Sequence, residues 1–209
     1  YQEDGIRAIG SGFRRKEDVG VTGLALLAFL GAGYGHITEI EGRSDAYNLV
    51  VKRGLSFLIS GQKENGDLRQ GAQMYSQAIA TAALCEAYLL SGDPELFNPI
   101  KKAVDFILKA REKNAGWRYE VQGGSDTSVT SWQVEALKLA ELAGVSIPPS
   151  VYEGVKNYLN SVRSGKFGGL YSYQPKDKPS AAATAEGLYL SLLLGENPNS
   201  ARVQESVGY

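Results

Sequence analysis

The residues that most often do chemistry in proteins are scarce in this chain. It has one histidine, His36, and one cysteine, Cys85, so it cannot supply the thiolate and imidazole ligands of a zinc site. We expect His36 to be a solvated turn residue and Cys85 to be a small core residue. Two carboxylates, Glu120 and Asp126, share a loop, but such pairs occur too often by chance to indicate magnesium. We therefore predict no bound metal and no cofactor.

Asp126 is the one candidate for a catalytic acid that the sequence offers. It stands four residues before Thr130, as Asp18 stands four residues before Thr22. An aspartate just before a helix commonly accepts hydrogen bonds from the first free N–H groups. The interpretation that we favour for both aspartates is N-capping, and acid catalysis by Asp126 is the alternative.

Aromatic and charged residues are concentrated in the loops that enter the predicted inner helices. Such loops share one end of a helical array, and aromatic walls with a few polar groups suit a pocket for an apolar or sugar-like ligand. Packing of these aromatic residues against helices is the alternative that we favour for most of them. The predicted ligand-binding residues are Tyr75, Trp117, Arg118, Tyr119, Asp126, Tyr171 and Tyr173.

The elements that must position these residues follow from a pattern that occurs three times. Its aromatic anchors, Phe57, Phe106 and Tyr158, are 49 and 52 residues apart, and each copy runs into a glycine that is followed within two positions by an apolar residue. A fixed period of this length indicates stacked supersecondary units that bury their apolar faces against one another. The copies end near residues 68, 117 and 171.

Four small-residue-rich segments lie between these copies and predict inner helices that neighbours enclose. They begin near Thr22, Thr81, Thr130 and Thr184, whose hydroxyls we expect to bond back within their helices. Outer, half-solvated helices are predicted over residues 45–61, 95–112 and 149–163, two of them beginning near a proline. No strand is indicated. The sequence predicts an all-α domain over residues 1–209 with seven or eight helices.

The composition of the chain argues against nucleic-acid binding and against a membrane-spanning segment. The 209 residues are 43% hydrophobic, enough for a sizeable core, and the net charge is −1. A balanced charge gives no electrostatic footprint for nucleic acid. The most apolar segment is too short and too rich in glycine to span a membrane.

The repeats resemble the QW-type motif of terpenoid cyclases and protein prenyltransferases. The first copy matches at Arg53-Gly54, Phe57-Leu58, Gln62 and Gly66, with Leu68 at the usual tryptophan. The second and third copies keep the aromatic anchor and the glycine, but have arginine for the glutamine. The matching residues of these two copies are Phe106-Ile107, Gly116-Trp117, Gly154, Tyr158-Leu159 and Gly168-Gly169, with Arg111 and Arg163 for the glutamine and Tyr171 near the aromatic position.

The resemblance implies an α/α toroid, which in complete members has about six hairpins. At this repeat length six hairpins need ~300 residues. This chain can therefore form only an incomplete ring of about seven to eight helices, either an open arc or a fragment of a longer protein. The exposed end helices of an arc would suit a homodimer or an attached domain.

The catalytic groups of the resembled enzymes are replaced in this chain. Class II cyclases protonate an alkene with an aspartic acid at the position of Ser125, and a serine hydroxyl is too weak an acid for that step. Prenyltransferases place a zinc-binding histidine at the position of Ala183. We therefore expect a non-catalytic helical-repeat module that binds an apolar, isoprenoid-like ligand or a protein through its concave face. The alternative is an isoprenoid-processing enzyme with a divergent active site that uses Asp126.

Overall fold

Eight α-helices and one very short β ladder make up the described part of the chain. The computed structural model describes residues 17–37, 45–113 and 115–209. The helices are α1 (Asp18–Gly31), α2 (Asp45–Ser60), α3 (Met74–Ser91), α4 (Phe97–Ala110), α5 (Thr127–Leu142), α6 (Pro149–Val162), α7 (Ala181–Leu193) and α8 (Ala201–Val207). A 3-10 turn over Pro94–Leu96 leads into α4. The strands are β1 (Arg163–Ser164) and β2 (Leu170–Tyr171). The all-α prediction is confirmed.

The odd-numbered helices form an inner row. Helix α3 packs between α1 and α5, and α5 packs in turn against α7. Helices α2 and α4 pack against this row from outside, and α8 packs against α7. Within the described residues α1 and α7 do not form a packed pair, so the described row runs from α1 to α7 without closing on itself.

The inner and outer helices differ as their sequences predict. Helix α3 is buried nearly all round, and its many alanines let its neighbours approach closely. Helix α4 is amphipathic: Ile100, Val104 and Ile107 recur every three or four residues and are buried, whereas Lys101 and Lys102 are exposed. None of the described helices is long and apolar enough to span a membrane.

The predicted start of α3 is wrong by about two turns. The sequence placed it at Ala80-Thr81, but the helix begins at Met74. The fourth residue of α3 is therefore Gln77, which takes the position that Thr130 has in α5 and Thr184 has in α7. The start is hard to see because residue 73, a glutamine, makes no side-chain cap there. Small residues before and after Ala80 also hide any change of pattern.

Three smaller expectations also need correction. Asp18 is not an N-cap but the first residue of α1, where its negative charge still suits the helix dipole. Thr81 bonds back within its helix as expected, whereas the hydroxyls of Thr130 and Thr184 bond to the backbone of Trp117 and Tyr171, outside their helices. A ladder pairs Arg163 with Tyr171, although no strand was predicted, because two residues are too few to show an alternating pattern.

Candidate functional site

The predicted site residues divide into two groups in the structure. Trp117 and Tyr171 are among the largest fully buried side chains of the core. The Trp117 indole N–H donates to the Ile107 carbonyl at 2.7 Å, and the Tyr171 hydroxyl lies 2.8 Å from that of Ser191. With no exposed surface, these two side chains anchor loops to helices and do not line a surface.

The other five predicted residues meet at the amino end of α5, and we call them the rim cluster: Tyr75, Arg118, Tyr119, Asp126 and Tyr173. The hydroxyls of Tyr119 and Tyr173 are 2.5 Å apart, and the rings of Tyr75 and Tyr119 are 6.0 Å apart between centroids. The Arg118 guanidinium lies 5.4 Å from the centre of the Tyr119 ring, within reach of a cation–π interaction. Its Nε is 3.7 Å from Asp126 Oδ2.

Asp126 is the N-cap of α5, as the sequence predicts. Its Oδ1 accepts the Val129 N–H at 2.8 Å, and its side chain is 0% exposed. Among the described residues, Oδ2 has no hydrogen-bond partner. Burial raises the pKa of this carboxyl, and the Val129 N–H, the nearby Tyr173 hydroxyl and the charge of Arg118 only partly oppose that rise. A fully buried, capping carboxyl is poorly placed to protonate a substrate.

We expect Asp126→Asn to leave the protein at least as stable as the wild type at pH 7. Asparagine caps about as well as aspartate and carries no charge that burial would penalise. Because the folded-state pKa is raised, the aspartate contributes most to stability at low pH, and this contribution is lost as the pH rises through the folded pKa. Urea unfolding between pH 4 and 7 should therefore show the advantage of the asparagine variant growing with pH.

The alanine variant provides the control. Asp126→Ala removes the cap and should lower the free energy of unfolding by about 0.5–2 kcal/mol. A large loss in Asp126→Asn at pH 7 would instead show that Arg118 depends on the carboxylate charge, and would contradict the capping interpretation.

An open groove lies next to the rim cluster, between α5 and α7. Its volume is about 280 Å³. Two aromatic side chains, Trp132 and Tyr189, and two carboxylates, Glu135 and Glu186, line it. Tyr189 is 42% exposed, so the aromatic wall is accessible from solvent. We call this side of the inner row the open face.

Helix α3 contributes two residues to the same face. Ser128 of α5 lies beside both Tyr75 and Glu186, which joins the rim cluster to the groove. Glu86 lies close enough to Glu135 for the two charges to repel. A second cleft, of about 340 Å³, is lined by Tyr75, Glu17 and Glu120 among others.

Two carboxylates of the open face, those of Glu135 and Glu186, lie where burial penalises their charge. Burial raises the pKa of Glu135, and the nearby charge of Glu86 raises it further. Burial likewise raises the pKa of Glu186, and Asp126 adds to the effect. Within the described residues none of these three glutamates forms an ion pair. The open face is thus aromatic and acidic.

Sequence reasoning missed the groove residues Trp132, Glu135, Glu186 and Tyr189. The signal was present, since Ser128, Trp132 and Glu135 follow helical spacing along one side of α5. It was overlooked because the inner helices were interpreted as enclosed all round, so their polar and aromatic residues were not assigned a side.

The one histidine and the one cysteine of the chain lie away from the groove. His36 is not solvated as predicted: its side chain is 7% exposed, and Nε2 is 2.8 Å from Asp93 Oδ2. This contact with His36 lowers the pKa of Asp93. Cys85 is buried in α3, and burial raises the pKa of its thiol to about 12, as for a core residue. No group of three potential ligands among His, Cys, Asp and Glu lies within the described residues.

Comparison with known proteins adds no family. No protein-family model matches the chain, and no curated protein matches it.

Proposed function

We propose that this chain is a squalene-cyclase/prenyltransferase-like helical-repeat module of the α/α toroid type. It binds a ligand on the open face of its inner helices and does not catalyse a reaction. The observation that carries the proposal is the groove between α5 and α7, where two aromatic rings and two carboxylates face solvent together. Concave sites lined by aromatic side chains with a few polar groups are where small ligands bind.

The chemistry of the groove favours an apolar ligand that carries a positive charge. Trp132 and Tyr189 offer ring faces, which attract organic cations as well as apolar groups. Glu135 lies among them and has no counter-ion among the described residues. An organic ammonium group would supply the missing charge, and its apolar body would cover the rings.

A fluorescence titration tests this proposal, because the chain has only two tryptophans. In a Trp117→Phe background the emission reports on Trp132 alone. Dodecyltrimethylammonium below its micelle concentration should change this emission saturably, and neutral dodecanol and farnesol should bind more weakly. Loss of the Glu135 charge should weaken binding of the cation by about tenfold.

Matched variants separate the groove from general surface charge. Glu135→Gln should weaken binding of the ammonium, whereas Glu153→Gln, on the exposed side of α6, should leave it unchanged. If none of the three probes alters Trp132 emission, or if both variants behave alike, the proposed binding site is wrong.

The catalytic alternative has a test of its own. An isoprenoid-processing enzyme would convert squalene or an isoprenoid diphosphate into a product that mass spectrometry detects. If Asp126 is the acid, Asp126→Asn would fold normally and form no product. Such a result would overturn the non-catalytic proposal.

A protein partner is the other ligand class that the surface allows. Val21 and Leu24 of α1, at one end of the inner row, are 63% and 47% exposed. Exposed apolar side chains on an end helix suit a second copy of the chain or an attached domain. Sedimentation of the wild type and of Leu24→Ser would show whether this end associates.

A further inference from the structure

A third cavity lies on the far side of α7 from the open face, between the end of α6 and α8. Its volume is about 300 Å³. Three basic side chains line it, and the lining includes one carboxylate, Glu196. The basic residues are Lys156, Arg163 and Arg202.

Arg163 is the unusual member of this group. Its guanidinium makes no hydrogen bond or ion pair with any described residue, and its Nε is buried. Burial lowers the pKa of this group, the neighbouring charge of Arg202 lowers it further, and the charge of Glu196 only partly opposes that change. A half-buried guanidinium that forms no hydrogen bond or ion pair is unfavourable unless a bound group supplies more negative charge than Glu196 does at a distance.

Arg202 is only partly neutralised. One of its terminal nitrogens donates to Glu196, but its Nε is buried and has no partner within the described residues. The other cation, Lys156, is paired at the surface with Glu153, 3.2 Å away. Two guanidinium groups therefore line the same cavity together with one carboxylate, which is paired with Arg202.

We propose that this cavity binds a phosphate group of a small molecule. Guanidinium groups bind phosphate oxygens through pairs of parallel hydrogen bonds, and two neighbouring arginines match the charge of a phosphate or diphosphate. A bound phosphate would accept the free N–H groups of Arg163 and Arg202 and would relieve their mutual repulsion. Asn160 and Ser191 add polar groups to the wall. This site is independent of the open face, so either can exist without the other.

Calorimetric titration with inorganic phosphate and pyrophosphate, at constant ionic strength, tests the site. We expect saturable binding of one pyrophosphate per chain and a melting temperature that rises with its concentration. Arg163→Gln should weaken binding by about tenfold or more, because a hydrogen bond to a charged group is lost. Arg163→Lys keeps the charge but loses the guanidinium fork, so it should bind less tightly than the wild type.

Arg53→Gln is the matched control, since Arg53 is exposed on α2 outside the cavity. This variant should bind pyrophosphate as the wild type does. Equal binding by Arg163→Gln and Arg53→Gln, or heat effects that sodium chloride reproduces, would overturn the proposal. Binding of a phosphoserine peptide without binding of phosphate or pyrophosphate would also overturn it, since the partner would then be a protein. Circular dichroism of each variant establishes that it is folded.

Discussion

Replacement of Gln77 by leucine should lower the free energy of unfolding by about 3 kcal/mol or more. Gln77 is fully buried, and its amide satisfies three backbone groups of two neighbouring segments. Oε1 accepts the Leu68 N–H at 2.8 Å, and Nε2 donates to the carbonyls of Gly66 and Ala103 at 3.1 and 3.3 Å. Leucine fits the volume but leaves the buried Leu68 N–H and the Gly66 carbonyl without this partner, and each loss costs about 1–3 kcal/mol. The Ala103 carbonyl lies within α4 and keeps its place in the hydrogen bonding of that helix.

Gln73 is the control for this experiment, because it lies at the start of the same helix but makes no side-chain cap and is exposed. Gln73→Leu should change stability by less than about 0.5 kcal/mol. Urea unfolding of both variants, followed by circular dichroism, gives the comparison. Similar midpoints for Gln77→Leu and the wild type would mean that water or a rearranged loop replaces the amide.

The prediction follows from a feature that all three repeats share. In each, the backbone N–H at the end of the copy bonds to the side chain of the fourth residue of the next inner helix. These donors and acceptors are Leu68 with Gln77, Trp117 with Thr130 and Tyr171 with Thr184. The repeated glycine and apolar residue thus mark the place where each loop is fixed to an inner helix.

The helical alternation was predictable from the sequence because it depends on spacing. The aromatic anchors and the lysine-bearing faces recur at fixed intervals, and burial follows such intervals closely. The equivalence of Gln77 with Thr130 and Thr184 was not predictable in this way. The amide of Gln77 and the hydroxyls of Thr130 and Thr184 accept the equivalent backbone N–H, although their side chains differ in length. In α3 the more conspicuous residue is Thr81, which lies one turn further along the helix.

The candidate site was predictable only in part. The sequence predicted that Tyr75, Arg118, Tyr119 and Tyr173 lie close together, because the loops that enter parallel inner helices must lie at the same end of the helical array. It could not separate these residues from Trp117 and Tyr171, since loop aromatics of either kind look alike until their burial is known. The His36–Asp93 contact was also hidden, because it joins residues far apart in the chain.

Gly66→Ala should be among the most damaging single-methyl changes in the chain, with a loss of roughly 4 kcal/mol. Gly66 has φ +89°, a backbone conformation that is strained for any residue with a side chain. A Cβ at this position would also collide with the Lys102 carbonyl. That carbonyl belongs to α4, so the loop or the helix would have to move. The movement would also disturb the bond from Gln77 to the Gly66 carbonyl.

Gly71→Ala separates the backbone strain of a positive φ from the collision with a neighbouring helix. Gly71 has a similar φ of +93°, but nothing lies within 4 Å of its added Cβ. This variant should therefore show the backbone strain alone, a loss of about 1–2 kcal/mol. Thermal and urea unfolding of the two variants side by side give the difference, which measures the close approach of the first repeat loop to α4. Equal losses would mean that the loop and α4 are not held in contact, and that the repeats are joined mainly through the inner helices.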